Sequence, residues 1–462
     1  MLKYAEQVHL QLYLSGWSYF LSISGTVVKQ NGILGGNGSR GVVLIIHKLM
    51  SKSISGPLIL LVVVFSAVKC VDPYTPKLSG YRNVMVVDGL VTNADNSYKV
   101  SLTESIEAQD STPKTISDAT VYITDDNGVR TDLLPAGNGI YKTDSLTFRG
   151  ETGRTYQLHI TRSDGNEYVS DSCKMLPVPE IDTVYFFKDS RLYNNQTVLR
   201  QGISIFLDSK EPQEENNYLR WTFDETWKFR IPYPTSYVFL NDSTINSLPP
   251  SEIKEFCWRT NKNTEILTRE INPGSTGPIK GVPITFIASE LSGRLLMRYS
   301  IIIHQYSVSR NEYNFWNNLK MVEENLGDLF GKQPFAVASN IKNKRDPSEM
   351  VLGYFQVSSV SEKRIYLDFL KDIEPLNLPV YLYPCQLITV SPMDFYDPTS
   401  RQKPMTFEQM YNMFINSKRY SFVEPVYDPT TYKLSKLSFT TIECADCEKS
   451  GSSVTPYFWT DK

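Results

Sequence analysis

The residues of this 462-residue chain whose types and spacing could do chemistry are few: six cysteines, four histidines and scattered carboxylates. Cys444-Ala-Asp-Cys447 has the spacing of a zinc knuckle or a redox dithiol. A structural zinc site wants a second ligand pair, and a redox dithiol should open a helix in a βαβ unit; neither context is present. In an oxidising compartment disulfides are the expected state. The favoured bridge joins Cys385 to Cys444 or Cys447, with the choice open. Apart from Cys70, five cysteines remain (Cys173, Cys257, Cys385, Cys444 and Cys447), an odd number that leaves a free thiol or an intermolecular bond. His9 and His47 fall in an atypical N-terminal segment, so only His159 and His304 can serve a body domain, and each sits among strand residues. No Gly-x-Ser-x-Gly elbow or phosphate-cradling loop occurs. Asp125-Asp126-Asn127 reads as a hairpin turn, not a calcium loop, and Asp394 with Asp397 is too common a carboxylate pair to indicate glycoside hydrolysis. The expectation is a non-enzyme with no catalytic residues, metal or cofactor.

The remaining carboxylate of interest is Glu225. In Leu219-Arg-Trp-Thr-Phe-Asp-Glu-Thr-Trp-Lys-Phe229 it shares one face with Leu219, Trp221, Phe223, Trp227 and Phe229. A carboxylate on an apolar face must find a cation or a hydrogen-bond donor, or stay protonated. A buried arginine such as Arg298 or Arg259 is the expected partner, with a ligand-binding role or a bulge as the alternatives.

Cys70 carries a different chemistry. An apolar run from Leu58 to Val68, preceded by Lys48 and Lys52, leads into Ser66-Ala67-Val68-Lys69-Cys70. This is a signal-peptide pattern, and the run's length of 11 residues is about half the ~20 that span a bilayer. Small residues before a cysteine resemble a lipobox, in which the cysteine is diacylated and becomes the first residue. Lys69 departs from that pattern. Met50-Ser-Lys supplies the basic start, so 50–69 reads as the lipoprotein signal and 1–49 as a spurious upstream extension. Residues 1–69 hold six of the 47 Lys/Arg and one of the 50 Asp/Glu, leaving 41 basic and 49 acidic residues from Cys70 onward and a net charge near −8. Nucleic-acid binding needs the opposite balance.

The elements that position these residues are mainly strands. Pro73 and Pro76 suit an extended tether over 70–80. Between 81 and 180, short β-branched runs alternate with Asp88-Gly89, Asn127-Gly128, Asn138-Gly139 and Asp164-Gly165 turns, which predicts an immunoglobulin-like β-sandwich. Leu176-Pro-Val-Pro179 closes it. From 181 to 462 a larger β-rich domain follows with two helices. Ser309-Arg-Asn-Glu312 and Thr406-Phe-Glu-Gln409 read as capping boxes that start them near 310–326 and 407–416. Val351–Val357 and Arg364–Phe369 read as a strand pair across a Ser-rich turn.

Val87-Asp-Gly-Leu-Val-Thr, Gly139-Ile-Tyr-Lys-Thr-Asp, Pro177-Val-Pro-Glu-Ile-Asp-Thr-Val-Tyr185, Arg220-Trp-Thr-Phe-Asp-Glu-Thr-Trp227, Phe315-Trp-Asn-Asn-Leu319 and the Cys444-Ala-Asp-Cys447 tail with Pro456-Tyr-Phe-Trp459 together resemble the domain-of-unknown-function-4249 (DUF4249) lipoproteins of Bacteroidota. The resemblance implies an outer-membrane lipoprotein, anchored through an N-terminal lipid, of a family often encoded beside TonB-dependent receptors. The function it implies is an accessory or ligand-binding protein in nutrient uptake, with no assigned catalytic residues. A structural or adhesive surface protein is the alternative, and an envelope hydrolase is a third. The ligand and the side of the membrane it faces stay open.

Overall fold

The computed structural model describes residues 84–460, apart from 96, 106–111, 193–197, 213–217, 243, 272–276, 326–336, 375, 377, 379–383 and 400–401, together with a separate two-residue ladder, Tyr13–Leu14 against Trp17–Ser18. Cys70, the signal segment and the tether lie outside the described residues. The protein is mainly β. No described helix is long and apolar enough to cross a membrane.

The alternating runs of the first segment form β1 (Met85–Val91), β2 (Lys99–Glu104), β3 (Thr120–Asp125), β4 (Arg130–Pro135), β5 (Ile140–Lys142), β6 (Thr155–Thr161) and β7 (Glu167–Ser170). They make one continuous sheet in the order β7-β6-β3-β4-β5-β2-β1. Alternation puts Val87, Val100, Leu102, Val121, Ile123, Leu158 and Ile160 inside, and both ends of the sheet line that single core. The sheet is not completed by its own segment. Ile341–Asn343 adds to β7, and Leu352–Val357 adds to β1 in parallel. The boundary near 180 therefore closes a chain segment but not a structural unit. The linker is also held: Gln305 donates from Nε2 to the Pro179 carbonyl at 2.7 Å, and Ser307 Oγ donates to the Leu176 carbonyl at 2.5 Å.

Beyond it, β8 (Ile181–Leu192), β9 (Leu199–Ser209), β10 (Tyr218–Arg230), β11 (Phe256–Lys262), β12 (Ile279–Ala288) and β13 (Arg298–Ser307) build two facing sheets. One is ordered β8-β9-β12; the other has β10 between β11 and β13. Ile203, Ile205 and Leu207 meet Trp221, Phe223, Ile301 and Ile303 between them. Helix α1 (Arg310–Asn325) follows, its start held by the Glu312 amide donating to Ser309 Oγ at 3.2 Å. The strands β14 (Leu352–Val357) and β15 (Val360–Asp368) come next. They are not a hairpin, as the sequence suggested: β14 pairs with β1 and β15 with β13. Ser358 and Ser359 pass the chain from one sheet to the other, so that all of β14 is paired along β1 and all of β15 along β13. Gly353 permits the β14 docking, since at φ +85° a Cβ would lie 1.9 Å from the Val87 carbonyl oxygen.

A smaller module closes the chain. Helix α2 (Phe407–Asn416) has the reciprocal Thr406–Gln409 capping box and packs on β16 (Tyr420–Tyr427) and β17 (Leu434–Thr441). Met410, Phe422, Leu437 and Phe439 form its core with Phe239, which is brought by the hairpin Tyr237–Asn241/Thr244–Ser247.

Candidate functional site

Glu225 lies on the inner face of β10 and is 5% exposed. Arg294 Nη1 donates to both its oxygens, at 3.0 and 2.9 Å, and the Tyr299 hydroxyl donates to Oε1 at 2.6 Å. The partner is an arginine, as expected, but neither of those named. Arg298 points to the opposite face of β13 and pairs with Asp368 at 2.7 Å, while Arg259 spreads over the Trp227 ring at 5.8 Å. A one-turn 3-10 helix, Gly293–Leu295, carries Arg294 under the strand instead. Burial first, then the Glu225 charge, hold the Tyr299 hydroxyl well above its ordinary pKa. The group is closed and satisfied, a structural ion pair.

A second buried carboxylate was missed. Glu312 is 3% exposed. It turns from the start of α1 into the junction between α1, β10 and β14, where Ser358 Oγ is 3.4 Å from Oε2. Arg220 lies on the outer face of β10, its guanidinium 4.3 Å from the Trp316 ring and 5.0 Å from Tyr306, and donates to Gln356 Oε1 at 2.9 Å. Burial raises the Glu312 carboxyl to about 7 against the pull of Arg220. The Trp316 indole lies close enough to favour the ionised form but makes no well-aligned hydrogen bond, and Glu312 Oε1 and Arg220 Nε also lack partners. Buried polar atoms in this state are commonly bridged by ordered water. The same burial pushes the free Cys173 thiol up to about 12, so it is a poor nucleophile.

The other cysteines organise the C-terminal tail. Cys385 bridges to Cys444, and Cys447 bridges to Cys257 on β11, with Cα separations of 5.8 and 5.6 Å. The second bridge delivers the tail to the edge of β11. There the Cys447 amide donates to the Lys254 carbonyl at 3.2 Å, and Trp258 and Ser452 exchange backbone hydrogen bonds at 2.9 and 2.8 Å. Gly451 makes the approach possible, because a Cβ there would meet the Trp258 carbonyl oxygen at 2.5 Å. The tail then crosses the outer face of the sheet: Arg364 stacks on Phe458 at 3.6 Å, and Trp459 meets Trp258 edge-on at 6.2 Å. Between Ser452 and this anchor it bows away from β11. An open cleft of about 600 Å³ results, with Arg259 and Thr260 on one wall and Val454, Pro456 and Tyr457 on the other. Tyr457 is 99% exposed, and the buried Trp258 indole N–H beside the cleft has no acceptor.

The chain matches the domain of unknown function DUF4249 over residues 71–364. It belongs to the DUF4249 family. No curated protein matches it. A solved structure titled "Biofilm associated protein - BSP domain" aligns at 8% identity with a TM-score of 0.13, over 63% of this chain and 60% of that one, below what defines a shared fold. The DUF4249 match includes β11 and its edge; the tail that forms the facing wall of the cleft lies beyond it.

The two described histidines of this DUF4249 protein, His159 and His304, are structural in setting. His159 stacks on Tyr122 at 4.6 Å and shares a hydrogen bond with Thr124 at 2.9 Å; burial lowers its pKa and keeps it neutral. His304 Nδ1 lies 2.7 Å from Glu362 on the outer face of β13. The Asp125–Asn127 segment is a turn, with Asp125 Oδ1 accepting from the Asn127 and Val129 amides. Asp394 caps a short turn at Ser391. Among the described residues, no three His, Cys, Asp or Glu side chains converge on a metal-sized space.

Proposed function

We propose that this DUF4249 protein is an outer-membrane lipoprotein of a Bacteroidota envelope, anchored through a diacylated Cys70, that acts as an accessory or ligand-binding partner of a TonB-dependent receptor in nutrient uptake. The lipobox-like run before Cys70 supports the anchor. The observation that carries the binding role is the open cleft at the β11 edge, with a nearly fully exposed Tyr457 on a tail that a disulfide holds in place. Its volume of about 600 Å³ lies within the range of roughly 300–1,000 Å³ usual for ligand sites. A large exposed ring on a fixed segment is the kind of anchor that binding surfaces use. Two measurements test the proposal. Mass spectrometry of the mature N-terminus should find an acylated Cys70, and an unmodified Cys70 would overturn the anchor. Native purification from outer membranes should bring down a TonB-dependent receptor in stoichiometric amount, and its absence would overturn the partnership.

A further inference from the structure

The direction of the backbone groups along β11 says what chemistry the cleft takes. Strand residues alternate in the side to which they present N–H and C=O. On β11 and its continuation the odd positions face β10: the Ile231 amide donates to Glu255 at 3.1 Å and the Asn263 amide to Phe223 at 2.9 Å. The even positions face away, and the tail uses them at Lys254 and Trp258. Thr260 and Lys262 are next in the same row. Both are exposed, both lie past the point where the tail bows out, and neither backbone has a partner on that side among the described residues. One donor and one acceptor, those of Thr260, therefore line the cleft, and those of Lys262 continue the same row just beyond it in strand register.

We propose that this edge binds an extended peptide segment, which adds to β11 as a strand at Thr260 and Lys262 and lies against Val454 and Tyr457 of the tail. The inference rests on the binding role proposed for the cleft and names its ligand class. The tail's own pairing with Trp258 shows that this edge accepts a strand, and the new segment would continue that row where the tail leaves it. Strand addition of this kind draws affinity from main-chain hydrogen bonds and specificity from alternate side chains. Arg259 forms no ion pair among the described residues, so a glutamate or aspartate in the segment would be favoured. Lys262 is the kind of charge that guards an edge against other sheets. A single short peptide is admitted where a broad hydrophobic sheet is not.

The test uses the full chain, detergent-solubilised, and a fluorescein-labelled peptide of alternating threonine and valine with one glutamate. Saturable binding below about 1 mM is expected, since only a few net hydrogen bonds drive it. N-methylation of alternate peptide nitrogens removes the donors without touching the protein, and should weaken binding at least about tenfold. Thr260→Pro, which deletes one edge donor, should do the same, while Thr260→Val should not. Absence of saturable binding, or binding indifferent to N-methylation, overturns the strand-addition inference. Neither result bears on receptor co-purification, so the accessory role would stand or fall separately.

Discussion

Glu312 is the residue whose replacement gives the sharpest forecast. Its carboxyl titrates near 4.5 when unfolded and at about 7 when folded, because burial outweighs the attraction of Arg220. A raised folded-state value means the native protein holds the proton more tightly. The associated stability is complete below pH 4.5, declines as pH rises through 7, and is gone by about pH 8. Its size is about 3 kcal/mol, from roughly 1.4 kcal/mol for each pH unit between the two values. The groups facing the carboxyl are Arg220 from β10, Trp316 from α1, Ser358 after β14, Tyr354 from β14 and Cys173 from the first sheet. Glu312→Gln keeps the side-chain shape and removes the titration. Urea unfolding of the parent and the variant should be compared from pH 4.5 to 8. The difference between the two free energies cancels every other titrating group, and it should shift in favour of the variant by about 3 kcal/mol across the range. Parallel curves would refute the assignment of a protonated Glu312 to this junction.

Arg294→Met strands the Glu225 carboxylate in the core and should cost about 3 kcal/mol in urea, with much of the loss recovered in the Arg294→Met/Glu225→Gln double variant. Gly353→Ala should detach β14 from β1, lowering stability by at least about 2 kcal/mol and raising hydrogen exchange along both strands, because its Cβ has no room against Val87. Replacing Cys257 and Cys447 by alanine opens a link across 190 residues and should cost up to about 5 kcal/mol, with hydrogen exchange increasing most over the tail from Ser450 to Trp459.

Local chemistry was legible in the sequence, and long-range pairing was not. The strand from Leu219 to Phe229, the two helix starts and the demand of Glu225 for a cation all follow from periodicity and from the cost of a buried charge. Which arginine answers that demand depends on a one-turn helix about seventy residues away, which no spacing encodes. Glu312 read as a capping residue because the box Ser-x-x-Glu explains it locally; only packing shows the carboxylate turned into the junction. The pairing of β14 with β1 was hidden for the same reason, although a glycine inside a strand run is a signal of close backbone approach. The Cys444-Ala-Asp-Cys447 motif pointed to disulfides but not to Cys257, which lies on a strand remote in sequence. The cleft forms where that bridge, with the backbone pairing of Trp258 and Ser452, holds the tail at the β11 edge.

The most direct test of the binding role is site-specific photocrosslinking in living cells from position 457, with Leu146, 92% exposed on the first sheet's segment, as the control position. A discrete crosslink from 457 to a TonB-dependent receptor or to a peptide segment it presents, absent from 146, is the expected result. Equal crosslinking from both positions, or none from 457, would contradict a partner at the tail cleft.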